Sequence, residues 1–218
     1  YQEKRALKGF LDWIVAARER HPQMHIYHFG AYEPSALKRL CSRHDVGGEL
    51  LDELLRGGRL IDLHQVVRES LRIGIDRYGL KQLEVLHGYV RKFDLREASV
   101  VCRDLELALE LDRSEVITDT LCARVAEYNR EDCESTASLR NWLEAQRQAA
   151  IDDGCEIPRP ELQSSEASDK VRERDTRIAT LKAQLRAMLP EDEDEQDFEG
   201  DDKAVALLAS MLGYFHQE

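Results

Sequence analysis

From the first residues, apolar positions recur at helical spacing. Leu7, Phe10, Leu11, Ile14 and Val15 trace one face of a helix predicted over 1–20, which ends at His21-Pro22 because the residue before proline avoids the α region. Met24 to Phe29 (MHIYHF) is short and rich in aromatic and β-branched residues, which predicts a buried strand between Pro22 and Gly30. A helix then starts at Glu33-Pro34, where proline suits a first turn, and carries Leu37 and Leu40 on one side. Residues 47–56 predict a short helix stopped by Gly57-Gly58. Residues 59–63 predict an extended segment running into a helix over 63–73, with Asp62 as its cap. A further helix begins near Leu80 after the loop at Tyr78-Gly79, and a long one over 120–149 carries Val125, Tyr128, Leu139, Trp142 and Leu143.

The pattern changes after residue 150. Residues 151–170 collect Gly, Pro and Ser with few large apolar groups and read as a linker. Over 171–190, Val171, Ile178, Leu181, Leu185 and Met188 stand at loose heptad spacing in a charged background, which predicts an amphipathic or coiled-coil helix. Residues 191–202 (EDEDEQDFEGDD) read as an acidic, disordered tether, and 203–218 as an apolar helix. The domain expected over 1–150 is therefore followed by a helical tail, and no internal repeat is visible.

Composition sharpens this picture. With 218 residues, 42% hydrophobic and 34% charged, the chain has enough apolar material to fold. It contains no uncharged apolar run of the ~20 residues that span a bilayer and does not open on a signal-peptide pattern, so a cytoplasmic protein without membrane contact is expected. The five cysteines are scattered and never form CxxC, which argues against a disulfide framework or a zinc ribbon. The net charge of −12 comes mostly from the acidic run, so it says little about partners.

Two acids stand in settings suited to chemistry. Glu33 follows the predicted strand in HFGAYEPSAL, at what would be a sheet edge. Asp132 lies four residues after Tyr128 in YNRED, so a phenol and a carboxylate share one helical face. Gathered carboxylates suit Mg²⁺ or Mn²⁺, hard cations that prefer oxygen ligands, and a nearby phenol could position a water. Lys81 is a candidate for contact with a nucleic-acid phosphate, although a lone helical lysine is usually only solvated. His25, His28 and His64 are left out of the metal shell, and Arg91-Lys92 is too interleaved with acids to mark a binding groove.

The order HFGAYEPSAL, LIDLHQVV, YGLKQLE and YNREDCESTASLRNWL resembles the YprB-type ribonuclease H-like domain of predicted RecB-family nucleases, related to DEDD 3′–5′ exonucleases. The resemblance covers roughly residues 1–146. It implies an α/β RNase H-like fold, mostly α-helical in this piece. It also implies that Glu33 stands at the second acidic motif, where relatives usually have Asp, with Asp132 as the last metal acid and Tyr128 as its water-orienting companion. Two Mg²⁺ or Mn²⁺ ions would serve hydrolysis of DNA or RNA. The family's first motif, an acid-x-Glu pair on an opening strand, would lie before Tyr1, so an N-terminally truncated domain, inactive by itself, is expected. A helicase domain of the same polypeptide is expected downstream, and the chain itself has no GxxxxGK[ST]. The alternative is a non-catalytic helical module that serves a helicase as spacer or docking surface.

Overall fold

The computed structural model describes residues 2–92, 95–161, 163–166, 168–190 and 198–212, with the backbone alone for 95–98. In chain order the elements are α1 (Gln2–Arg20), β1 (Ile26–His28), α2 (Tyr32–His44), α3 (Gly48–Arg56), β2 (Leu60–Asp62), α4 (Leu63–Ser70), α5 (Leu80–His87), α6 (Leu95–Glu110), a 3₁₀ turn (Ser114–Val116), α7 (Asp119–Asp152), α8 (Asp169–Arg186) and α9 (Gly200–Met211). The protein is thus mostly helical, with β1 and β2 paired in a two-stranded parallel sheet. Among the described residues no helix is long and apolar enough to cross a membrane. Two compact units divide the chain, one formed by Tyr1–Ile26, Ala31–Ile61 and Pro160–Glu218, the other by Tyr27–Gly30 and Asp62–Arg159.

In the first unit, α1 buries Leu7, Leu11, Ile14 and Ala17, a stripe one residue wide. Phe10 and Val15, expected on the same face, flank that stripe and remain 39% and 45% exposed. Leu7 and Leu11 join Cys41 and Leu51 in a cluster closed by Leu37, Leu40, Val46, Leu50 and Leu55. The turn from α2 into α3 has to pass close over α1. Gly47, at φ +73°, makes this possible, because a Cβ there would lie 2.1 Å from Leu11 Cδ1. Asp45, which ends α2 in the left-handed conformation, accepts hydrogen bonds from Lys182 at 2.9 Å and Arg186 at 2.6 Å, tying α8 to this turn. Burial works against the Asp45 charge, yet these two cations hold its carboxyl below the usual range. α8 begins with a Ser168 cap on Val171 and packs on α9, which buries Ala209. The expected acidic tether falls largely on 191–197, outside the described residues, whereas Gly200, Asp201 and Asp202 already form the first turn of α9.

The second unit is organised around Asp62. Its Oδ1 accepts the backbone N–H of His64 at 2.9 Å, the expected cap of α4, and also the N–H of Gly30 at 2.8 Å. His28 Nδ1 lies 2.7 Å from the Gly30 carbonyl, so the turn leaving β1 at φ +88° is held from both sides. α4, α5 and α6 all pack on α7, and Leu63, Val67, Leu83, Val101, Ala108 and Leu139 are buried. α6 has no counterpart in the sequence expectation. Its exposed Val100, Leu107 and Leu109 blur the helical period, and among its described side chains Val101 and Ala108, seven apart, are the buried ones.

Asp62→Ala strips two backbone donors of their acceptor and is expected to cost about 1–2 kcal/mol, whereas Asp62→Ser, itself a capping residue, should recover part of the loss. Urea unfolding followed by circular dichroism checks this, and an unchanged midpoint for the alanine variant would refute the double role.

Candidate active site

α5 and α7 meet along short repeats of polar residues. On α7, Tyr128, Asp132, Ser135 and Leu139 fall at spacings of four, three and four, a single helical face, with Glu131 beside it. On α5, Lys81 and Glu84 are three apart and share a side. The Lys81 ammonium donates to the Tyr128 hydroxyl at 2.7 Å and stands 4.8 Å from the ring centroid. That bond occupies a lone pair of the phenol oxygen and leaves the hydroxyl proton available as a donor.

Beneath this pair lies a buried ionic cluster. Ser135, completely buried, donates its hydroxyl to Glu84 Oε1 at 2.9 Å, and Arg91 Nε donates to the same oxygen at 2.8 Å. Arg91 Nη2 stands 2.6 Å from Glu84 Oε1 and 2.6 Å from Asp132 Oδ1. These two approaches are close ion pairs without good hydrogen-bond direction, since Nη2 and Asp132 Oδ1 are both buried and lack a well-aligned partner. The Arg91 side chain is 6% exposed, that of Glu84 11% and that of Asp132 33%. Burial opposes the Arg91 charge, but the interactions with the Glu84 and Asp132 carboxylates outweigh it and raise the guanidinium above its ordinary value.

The loop carrying Arg91 is laid along α7 by local geometry. α5 ends at Gly88 in the left-handed conformation, which turns the chain back. Tyr89 then donates to Glu134 at 2.9 Å, and the Lys92 backbone N–H donates to Glu131 at 2.6 Å. Burial and the Glu134 bond push the Tyr89 phenol up to about 12. His87 Nδ1 sits 2.9 Å from the Ser138 hydroxyl, while its Nε2 is buried without a partner among the described residues, and burial lowers its pKa despite the nearby Glu84.

Of the residues expected from sequence, Lys81, Tyr128 and Asp132 come together here. Glu33 is exposed on the first turn of α2, in the first unit. The residues that sequence reasoning missed are Glu84, Ser135 and Arg91. The first two had a faint signal, three residues from Lys81 and from Asp132 respectively. Arg91 had none, because its reach depends on how the loop after Gly88 closes. Divalent ions do not find a ready shell in this set. Among the described residues no group of three His, Cys, Asp or Glu side chains is placed to hold an ion, and one oxygen of Asp132 already faces Arg91.

A phenol and a carboxylate one turn apart on a long helix, in a chain that also holds a small parallel sheet, are features compatible with a nucleic-acid hydrolase. A family model described as RNase_H superfamily matches residues 1–144, more than half of the chain, and the protein belongs to that superfamily. The match spans both strands, Lys81 and the Tyr128–Asp132 turn. No curated protein and no solved structure matches the chain. Membership suggests nuclease-type activity with nucleic-acid binding, in a fold whose nucleases generally use divalent metals.

Glu84→Gln leaves Arg91 buried without its main counter-charge and is expected to destabilise the protein by about 3–5 kcal/mol, as read from urea unfolding. His87 gives a pH signature. Its folded pKa lies below the unfolded one, so stability is complete above about 6.5 and declines as pH falls through that value while the unfolded chain takes up the proton. The urea midpoint should therefore drop between pH 7.5 and 5.5, and His87→Gln should flatten that slope; an identical slope in both proteins would count against it.

Proposed function

We propose that the protein is a metal-dependent nuclease of the 3′–5′ exonuclease type, hydrolysing phosphodiester bonds of DNA or RNA within a larger cytoplasmic nuclease–helicase polypeptide. The observation that carries the reading is the Lys81–Tyr128 pair one helical turn from Asp132, inside the stretch matched by the superfamily model. In this reading the Tyr128 hydroxyl, oriented by Lys81, holds the attacking water or a phosphate oxygen, and the Lys81 charge favours the anionic backbone nearby. Asp132 and Glu33 are assigned as metal ligands. Two Mg²⁺ or Mn²⁺ ions need more carboxylates than the described residues gather, so the remaining ligands are assigned outside them, and no step is drawn through the ions. The YprB-type subfamily and the helicase association rest on the motif order. They also accord with α9, which leaves Leu207, Leu208 and Met211 exposed.

The second reading, a non-catalytic module serving a helicase, is favoured by one observation: Asp132 is already ion-paired with Arg91. Degradation of end-labelled single-stranded DNA and RNA by the natural polypeptide, with Mn²⁺ and without it, separates the two. Asp132→Asn is expected to reduce the rate at least about a hundredfold and Tyr128→Phe about ten- to a thousandfold. A folded polypeptide that degrades neither substrate would overturn the nuclease reading in favour of the module.

A further inference from the structure

Besides the shortage of gathered carboxylates, a protein cation already stands beside the Asp132 carboxylate. Arg91 Nη2 lies 2.6 Å from Asp132 Oδ1, while the same guanidinium is anchored by Glu84 through Nε at 2.8 Å and through the same Nη2 at 2.6 Å. Glu84 is itself fixed by the fully buried Ser135 hydroxyl. We propose that Arg91 is a positioning residue acting as a built-in counter-ion, which holds Asp132 in place and competes with a divalent cation for its carboxylate. The inference rests on the assignment of Asp132 as a metal ligand and goes beyond it by naming what regulates that ligand.

Three features favour competition over a purely structural bridge. The hold on Glu84 includes a directed hydrogen bond, whereas the hold on Asp132 does not: Asp132 Oδ1 is buried and receives no well-aligned donor. An oxygen held by charge alone is the one most easily transferred to another cation. The two anchors also differ in burial. The Glu84 side chain is 11% exposed and Asp132 33%, so Arg91 keeps a partner if Asp132 turns outward. Finally, among the described residues Arg91 Nη1 has no hydrogen-bond partner, so the guanidinium keeps donor capacity that neither carboxylate uses.

The test is a Mn²⁺ titration followed by electron paramagnetic resonance, on the full polypeptide with intact folding confirmed by circular dichroism. Binding at this site is the part that Asp132→Asn removes. The double variant Glu84→Gln/Arg91→Met removes both buried charges together, and it is expected to tighten that binding about tenfold or more, the scale on which neighbours of a ligand act. Arg91→Lys supplies a second route should the double variant fail to fold. It retains a charge for Glu84 but lacks the planar fork that spans two carboxylates, so a change in the same direction is expected. Asp132-dependent binding that is equal or weaker in these variants overturns the competition while leaving Asp132 a ligand. Absence of Asp132-dependent binding in every protein overturns the ligand assignment itself, and the competition with it.

Discussion

Burying a carboxylate is costly unless its charge is met, and the second unit depends on how that is done for Glu84. The side chain sits where α5 meets α7, and two groups answer it, a hydroxyl from α7 and a guanidinium from the loop after α5. Meeting the charge this way fixes several things at once. The loop has to run back along α7, Ser135 has to be small and polar, and Arg91 arrives with the Nη2 that meets Glu84 also close to Asp132. The half-buried pair above, Lys81 and Tyr128, is then set on a floor whose geometry is determined by a buried charge balance.

The first unit solves a simpler problem with apolar contacts. Leu7, Leu11, Cys41 and Leu51 interlock, and the chain turns over them where only a glycine fits. Its polar ties, such as Asp45 to Lys182 and Arg186, are half-exposed and contribute little each. The difference bears on function, since a net of buried charges holds side chains in particular directions while an apolar cluster mainly holds helices together.

What the sequence made legible was local. The first helix, the stop at Gly57-Gly58, the Asp62 cap and the phenol and acid on one helical face all depend on residues within a turn or two of each other, and the structure has each of them. What escaped notice was either blurred or distant. α6 has apolar residues on several sides, so its period does not stand out. The second bond of Asp62, to Gly30, joins residues 32 apart, and Lys81 meets Tyr128 across 47 positions. Arg91 looked like part of a solvated charge cluster because nothing in its neighbours announces that Gly88 turns it inward. Placing Glu33 beside Asp132 as a metal pair was a step of resemblance, and it remains a proposal.

α7 has one further consequence. Its buried residues, Glu131, Ser135 and Leu139, all lie within two turns, yet the helix continues to Asp152. From Asp132 to its end is about 30 Å at 1.5 Å per residue, so the chain beyond Asp152 is offset from the hydroxyl and carboxylate by a ruler whose length is set by helical rise. Inserting seven residues past Leu139 would lengthen that ruler by about 10 Å and nearly preserve its phase, whereas two would swing everything beyond them through roughly 200°. Spacing and orientation along this helix are therefore coupled quantities, and a change of length in its second half alters the direction in which the chain leaves it.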